Sequence, residues 1–132
     1  PLEGLWWLKD SNQFDFSRKD DFCWVSMIRL PDFVTKEEFD WAIREATDKK
    51  KTDFSSVEYL TVQEGLCVQC MHIGSYDDEP VTISAMHAYA KEQGYEIDLN
   101  EKRRHHEIYL GDPRKTRPEN LKTVIRIPVT KQ

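Results

Sequence analysis

The sequence predicts an α+β fold, an antiparallel-type sheet with two main helices on one face. Three observations carry this. Short runs rich in aromatic and β-branched residues recur along the chain, each closed by Pro, Gly or a charged turn. Two stretches place apolar residues at helical spacing, one after a Thr-x-x-Glu start and one before a Gly stop. No stretch of 18 or more apolar residues exists, so nothing reads as a membrane-spanning helix. At 132 residues the chain is read as a single domain, 1–132, long enough for a true core.

The elements follow in order. Leu5-Trp6-Trp7-Leu8 is an aromatic strand, and the polar segment from Ser11 to Asp21 is a loop. Phe22 to Leu30 reads as a strand stopped by Pro31. Thr35-Lys36-Glu37-Glu38 resembles a capping box, and Phe39, Ala42, Ile43 and Ala46 continue it at helical spacing to a stop near Lys49, with Trp41 on the flank. Tyr59 to Ile73 has β-type composition with a bulge or tight turn at Glu64-Gly65. After the loop Gly74 to Pro80, a second helix is expected from about Val81 to Gln93, with Gly94 as its C-cap. Tyr95 to Leu99 and His105 to Leu110 are short strands, Pro118 to Leu121 is one helical turn, and Val124 to Val129 is the last strand.

Composition narrows the function classes. The net charge is −5 and the pI about 5.4, against a binder of nucleic-acid backbone. Lys49-Lys50-Lys51 and Lys102-Arg103-Arg104 are the two basic clusters. The first complements a helix C-terminus and the second sits in a hairpin loop, so both read as solvated charge. Three cysteines make no disulfide framework. Cys67 and Cys70 have metal-like spacing, but residues three apart on a strand face opposite sides, so neither a metal nor a redox pair is expected. Free thiols and the lack of a secretory leader suit a cytoplasmic location. The chain opens at Pro1-Leu2-Glu3 without Met, as a fragment would or a chain lacking ordered leading residues.

The segment Arg103 to Pro113 carries the most chemistry. Strand alternation turns Glu107 and Tyr109 to one face, and Ile108 and Leu110 to the other. In a chain with four Trp, that pairing suggests an aromatic pocket around a buried acid, suited to a cationic or electrophilic small molecule. The alternative is that Glu107 lies on the wet face of an antiparallel sheet. His105 and His106 are strand neighbours and cannot both face one pocket, whereas His72 and Glu107 could meet across a sheet.

Met71-His72-Ile73-Gly74-Ser75-Tyr76 before a helix, then His106 to Pro113, then a closing strand, resemble the GyrI-like small-molecule-binding domain family. Pro1 to Trp7 and Trp24 to Pro31 resemble the middle strands of its stand-alone members. The resemblance implies two SHS2-type β-α-β-β pseudo-repeats around a ligand groove, with the first strand and helix of the leading repeat lacking a counterpart before Pro1. It implies that Glu107 contacts planar or cationic aromatic ligands. By similarity to cyclopropanoid hydrolases of the family, it also implies that Glu107 acts as a base, with Tyr109 and Tyr76 as hydrogen-bond donors. Trp6, Trp7, Trp24 and Trp41 are the candidate walls, with Met27 and Met71 as further ligand contacts. No cofactor or metal is expected. The candidate functions are hydrolysis of cyclopropane-bearing DNA alkylators for self-protection, non-catalytic drug sequestration or effector sensing, and interaction with gyrase. A second copy of the chain, as a homodimer, or an upstream segment is expected to cover the sheet edge that the absent leading strand leaves open.

Overall fold

Strand formation follows the aromatic and β-branched runs. In the computed structural model, which describes residues 1–132, β1 (Leu2–Leu8) and β2 (Phe22–Ile28) form an antiparallel pair with Trp6 opposite Trp24 and Gly4 opposite Ser26. Their connection carries a 3-10 turn at Phe16–Asp21, started by Asp15, whose carboxylate accepts from the Ser17 N–H. The other strands are β3 (Cys67–Ile73), β4 (Tyr95–Ile97), β5 (His105–Tyr109) and β6 (Lys122–Lys131). The six-stranded antiparallel sheet runs β2-β1-β5-β6-β3, and β4 pairs with β6. The α+β antiparallel class expected from the sequence is the class observed.

The chain divides into two compact units, one of Pro1–Ile28 with Glu64–Gln132 and one of Arg29–Gln63. The first holds the whole sheet and α2 (Glu79–Glu92), which begins two residues before the start read from the sequence. Its core is Ile83 and Met86 from α2 against Ile125 and Ile127 of β6, with Val68 and Cys70 of β3 packed on. Residues opposite one another in register share a face. The face that meets α2 therefore carries Ile125, Glu107 and Gly4 in one row, and Thr123, Tyr109 and Leu2 in the next. The reverse face holds Glu3, His106, Glu64 and Arg126. His106 Nε2 meets Glu3 at 2.7 Å, its Nδ1 meets Glu64, and Arg126 donates to Glu64 at 2.8 Å.

The second unit is organised by α1 (Lys36–Lys50). Its capping box forms as read: the Thr35 hydroxyl accepts from the Glu38 N–H at 3.2 Å and the Glu38 carboxylate accepts from the Thr35 N–H at 2.8 Å. Phe39 packs on Tyr59, ring centroids 5.4 Å apart, and the Tyr59 hydroxyl donates to the Val34 carbonyl. No α1 residue is fully buried.

One expectation is corrected. Tyr59 to Leu66 is not strand; the ladder starts at Cys67. Gly65 turns the chain at φ 67°. The Arg103 guanidinium then donates to the carbonyls of Glu64 and Leu66, the latter also accepting from the Val129 N–H of β6. The three cysteines are free, and alternation along β3 sends Cys67 and Cys70 to opposite faces. No helix is long and apolar enough to cross a membrane.

Ile125 is 0% exposed at the centre of the core. Ile125→Ala is expected to remove about 2–5 kcal/mol of stability. Urea denaturation would show this as a fall in midpoint with an unchanged slope, whereas a fall under about 1 kcal/mol would place the core elsewhere.

Candidate functional site

The helix α2 covers β6 and β3, and the same face of β1 and β2 opens into a groove of about 1120 Å³. Its lining lies entirely within the first unit. The aromatic wall is contiguous. Trp6 stacks on Trp24 at 5.6 Å, Phe22 meets Trp6 edge-on at 5.9 Å, and Phe14 lies 4.9 Å from Phe22. Tyr76 meets Tyr109 edge-on at 6.0 Å. Such rings offer stacking and cation–π surface to a flat ligand.

A chain of hydrogen bonds crosses this wall. The Trp6 indole N–H donates to the Tyr109 hydroxyl at 2.9 Å, and that hydroxyl donates to Glu107 Oε2 at 2.7 Å. His105 Nε2 donates to the other oxygen, Oε1, at 2.9 Å. His105 is itself clamped, its ring stacked 3.7 Å from Phe14. The strand pattern explains the cluster: His105, Glu107 and Tyr109 are alternate residues of β5 and so share a face. Gly4, opposite Glu107 on β1, makes room for it. A Cβ there would sit 2.7 Å from Trp6 Nε1 and 3.1 Å from the Tyr109 hydroxyl.

The acid is not alone. Glu79, the first residue of α2, is 2% exposed and lines the same groove as Glu107. Its Oε1 is buried with no hydrogen-bond partner. Burial, then the charge of Glu107 and the bond to it, push Glu79 up to about 9. For Glu107, burial acts upward but is outweighed by the hydrogen bond and charge of His105 and the bonds from Tyr109 and Glu79, which hold it below the usual carboxylate range. The sequence points to Glu107 as a buried acid, the kind of group that desolvation alone would raise. The structure transfers that property to Glu79, because Glu107 has donors for both oxygens and Glu79 does not. Burial and the neighbouring Glu107 also raise Tyr109, and burial raises Tyr76, so both phenols stay protonated as donors.

Of the sequence-derived candidates, the groove brings together Glu107, Tyr109, Tyr76, Trp6 and Trp24. It does not include Trp7, Met27 or Met71, which alternation turns to the reverse face; Trp7 there carries the Arg104 guanidinium 4.7 Å over its ring. Trp41 lies on α1 in the second unit, 58% exposed. His72 does not reach Glu107, because its two nitrogens are held by the Thr82 hydroxyl and the Ser75 carbonyl. Sequence reading missed Glu79, His105, Phe14, Phe22 and Gly4. Alternation along β5 was a usable signal for His105; nothing local marked Glu79.

An α+β sheet with an acid-centred aromatic groove defines a small-molecule-binding domain. The profile of the GyrI-like small molecule binding domain matches residues 1–130, and the chain belongs to that family. It is similar to a solved structure of an uncharacterized conserved protein from Listeria innocua, with 44% identity and a TM-score of 0.91, covering 98% of this chain and 63% of that one. It is also similar to a hydrolase from Listeria innocua, with 42% identity and a TM-score of 0.85, covering 98% of this chain and 62% of that one. A further Listeria innocua hydrolase shares 43% identity at a TM-score of 0.85, with coverage of 98% and 63%. The chain thus spans less than two thirds of the length of these proteins. No curated protein matches the sequence.

Gly4→Ala should drive the Trp6 indole off Tyr109 and break the chain of donors. The expected cost is about 1–3 kcal/mol in thermal or urea unfolding, with weaker binding of planar ligands. Unchanged stability and affinity would show that the close approach at Gly4 has no consequence.

Proposed function

We propose that the groove binds planar or cationic aromatic small molecules and, with cyclopropane-bearing DNA alkylators, adds water to the strained ring as a cytoplasmic self-protection activity. The observation that carries the reading is a buried Glu107 held on a contiguous aromatic wall by hydrogen bonds from His105 and Tyr109. A flat ligand displaces water from the Trp6–Trp24 surface, and positive charge on it is attracted to Glu107. For hydrolysis, Glu107 orients and deprotonates water, whose oxygen bonds to the ring methylene. The cleaved carbon–carbon pair passes into the aromatic system, and the oxygen that becomes phenolate takes its hydrogen bond from Tyr109 or Tyr76. The Listeria proteins described as hydrolases support this reading.

A second reading, sequestration or sensing without turnover, is favoured by a separate observation. Both Glu107 oxygens already accept hydrogen bonds, which suits a fixed charge better than a base. Incubation with a cyclopropane-bearing alkylator followed by mass spectrometry separates the two. Water addition over many turnovers is expected, lost in Glu107→Gln with the fold retained. Intact bound ligand would establish sequestration, and full activity in the variant would remove Glu107 from the mechanism.

A second copy of the chain is the proposed partner of β2. That strand lies at the sheet edge, with Trp24 59% and Ile28 68% exposed. Since Trp24 is also a groove wall, ligand affinity should fall on dilution through the dimer's dissociation range. Affinity constant across all protein concentrations would rule the dimer out.

A further inference from the structure

Glu79 has no role in the mechanism above, yet it is among the most buried polar residues in the molecule and lines the groove. We propose that Glu79 and Glu107 hold one proton between them and that a planar cation entering the groove expels it to solvent, whereas a neutral ligand of the same shape leaves it in place. The inference rests on the reading of the groove as a site for planar aromatic ligands.

Glu79 and Glu107 are both buried and line one groove, with Glu79 Oε1 unpartnered, and neighbouring carboxyls out of water do not both ionise without a cation between them. Here the one basic side chain that faces the pair directly is His105, and it is engaged with Glu107, not with Glu79. From β5 come His105 and Tyr109, both donating to Glu107. From the turn before α2 come Tyr76, a neutral phenol, and Asp77, which is tied to Lys19 at 2.7 Å. Beyond β5, Asp112 is tied to Arg114 at 2.9 Å, so both basic groups at the groove are already paired with aspartates. His87, further along α2, is lowered by burial and by His105. The first turn of α2 favours an anion at Glu79, but that dipole effect is modest beside burial.

The proton therefore stays with Glu79, and the pair carries one negative charge at neutral pH. Burial holding Glu79 up near 9 agrees with this. A unit cation about 5 Å away, at an effective dielectric of about 20, favours ionisation by roughly two orders of magnitude. The balance is then complete. The ligand brings one positive charge, the pair goes from one negative charge to two, and one proton leaves to buffer. No bond other than the Glu79 O–H is broken.

The sign of the pH dependence follows. Cation affinity rises with pH while Glu79 is protonated in the free protein, by up to about tenfold per unit, and levels off above its free-state value. Affinity for a neutral isostere shows no such rise.

The test uses N-methylacridinium, a permanent planar cation, against neutral N-methylacridone. Calorimetric titration near pH 8 is run in buffers of different ionisation enthalpy, such as HEPES and Tris. The expected result is release of about one proton with the cation and about none with the acridone. In Glu79→Gln the cation should bind with no proton release and no pH slope. Cation binding without proton release in the unaltered protein would overturn the proposal while leaving the functional reading intact. So would release that persists in the variant. If neither ligand binds, the functional reading fails and the inference goes with it. Should Glu79→Gln not fold, the comparison of cation with acridone in the unaltered protein decides alone.

Discussion

The site depends on an ionised carboxylate kept away from water. Burying Glu107 would be costly, and the fold meets that cost with hydrogen-bond donors: His105 on one oxygen and Tyr109 on the other. Each donor is in turn held. Trp6 donates to Tyr109, and Phe14 stacks on His105, so the aromatic wall and the polar centre fix one another. A groove assembled this way presents negative charge on a rigid apolar surface. It needs little reorganisation when a flat cation arrives.

The sheet separates two polar systems by alternation. Toward α2 stand His105, Glu107 and Tyr109; on the reverse stand His106, Glu3, Glu64 and Arg126. Adjacent residues of one short strand thus serve different purposes, His105 steadying the groove acid and His106 bridging two carboxylates behind it. The reverse cluster also holds the point where the chain re-enters the sheet, since Glu64 precedes the Gly65 turn that Arg103 secures. The strand register is over-determined from both sides, and a one-residue slip of β5 would exchange the two systems.

Local pattern made much of the fold legible. Thr35 to Glu38 signalled a capping box, and both of its hydrogen bonds are present. Strand alternation put Glu107 and Tyr109 together and set Cys67 apart from Cys70. Alternation also had the means to exclude Trp7 from the groove, since Trp6 and Trp7 cannot share a face. Tyr59 to Leu66 was misread because β-type composition says nothing of whether a partner strand exists. There the Gly65 turn delays the ladder, and the Arg103 guanidinium holds the Glu64 and Leu66 carbonyls at its start.

By itself the sequence determined the α+β class, the order of strands and helices, and the acid-and-phenol strand, because each is written in spacing over a few residues. Only the tertiary structure decided which aromatics form the wall and which acid carries the proton. Glu79 lies 28 positions before Glu107 in the chain and joins it only because the fold brings the start of α2 and β5 to one groove. Whether a carboxyl is ionised depends on the donors and the burial around it. Those are properties of segments brought together by the sheet, and no window of sequence contains them.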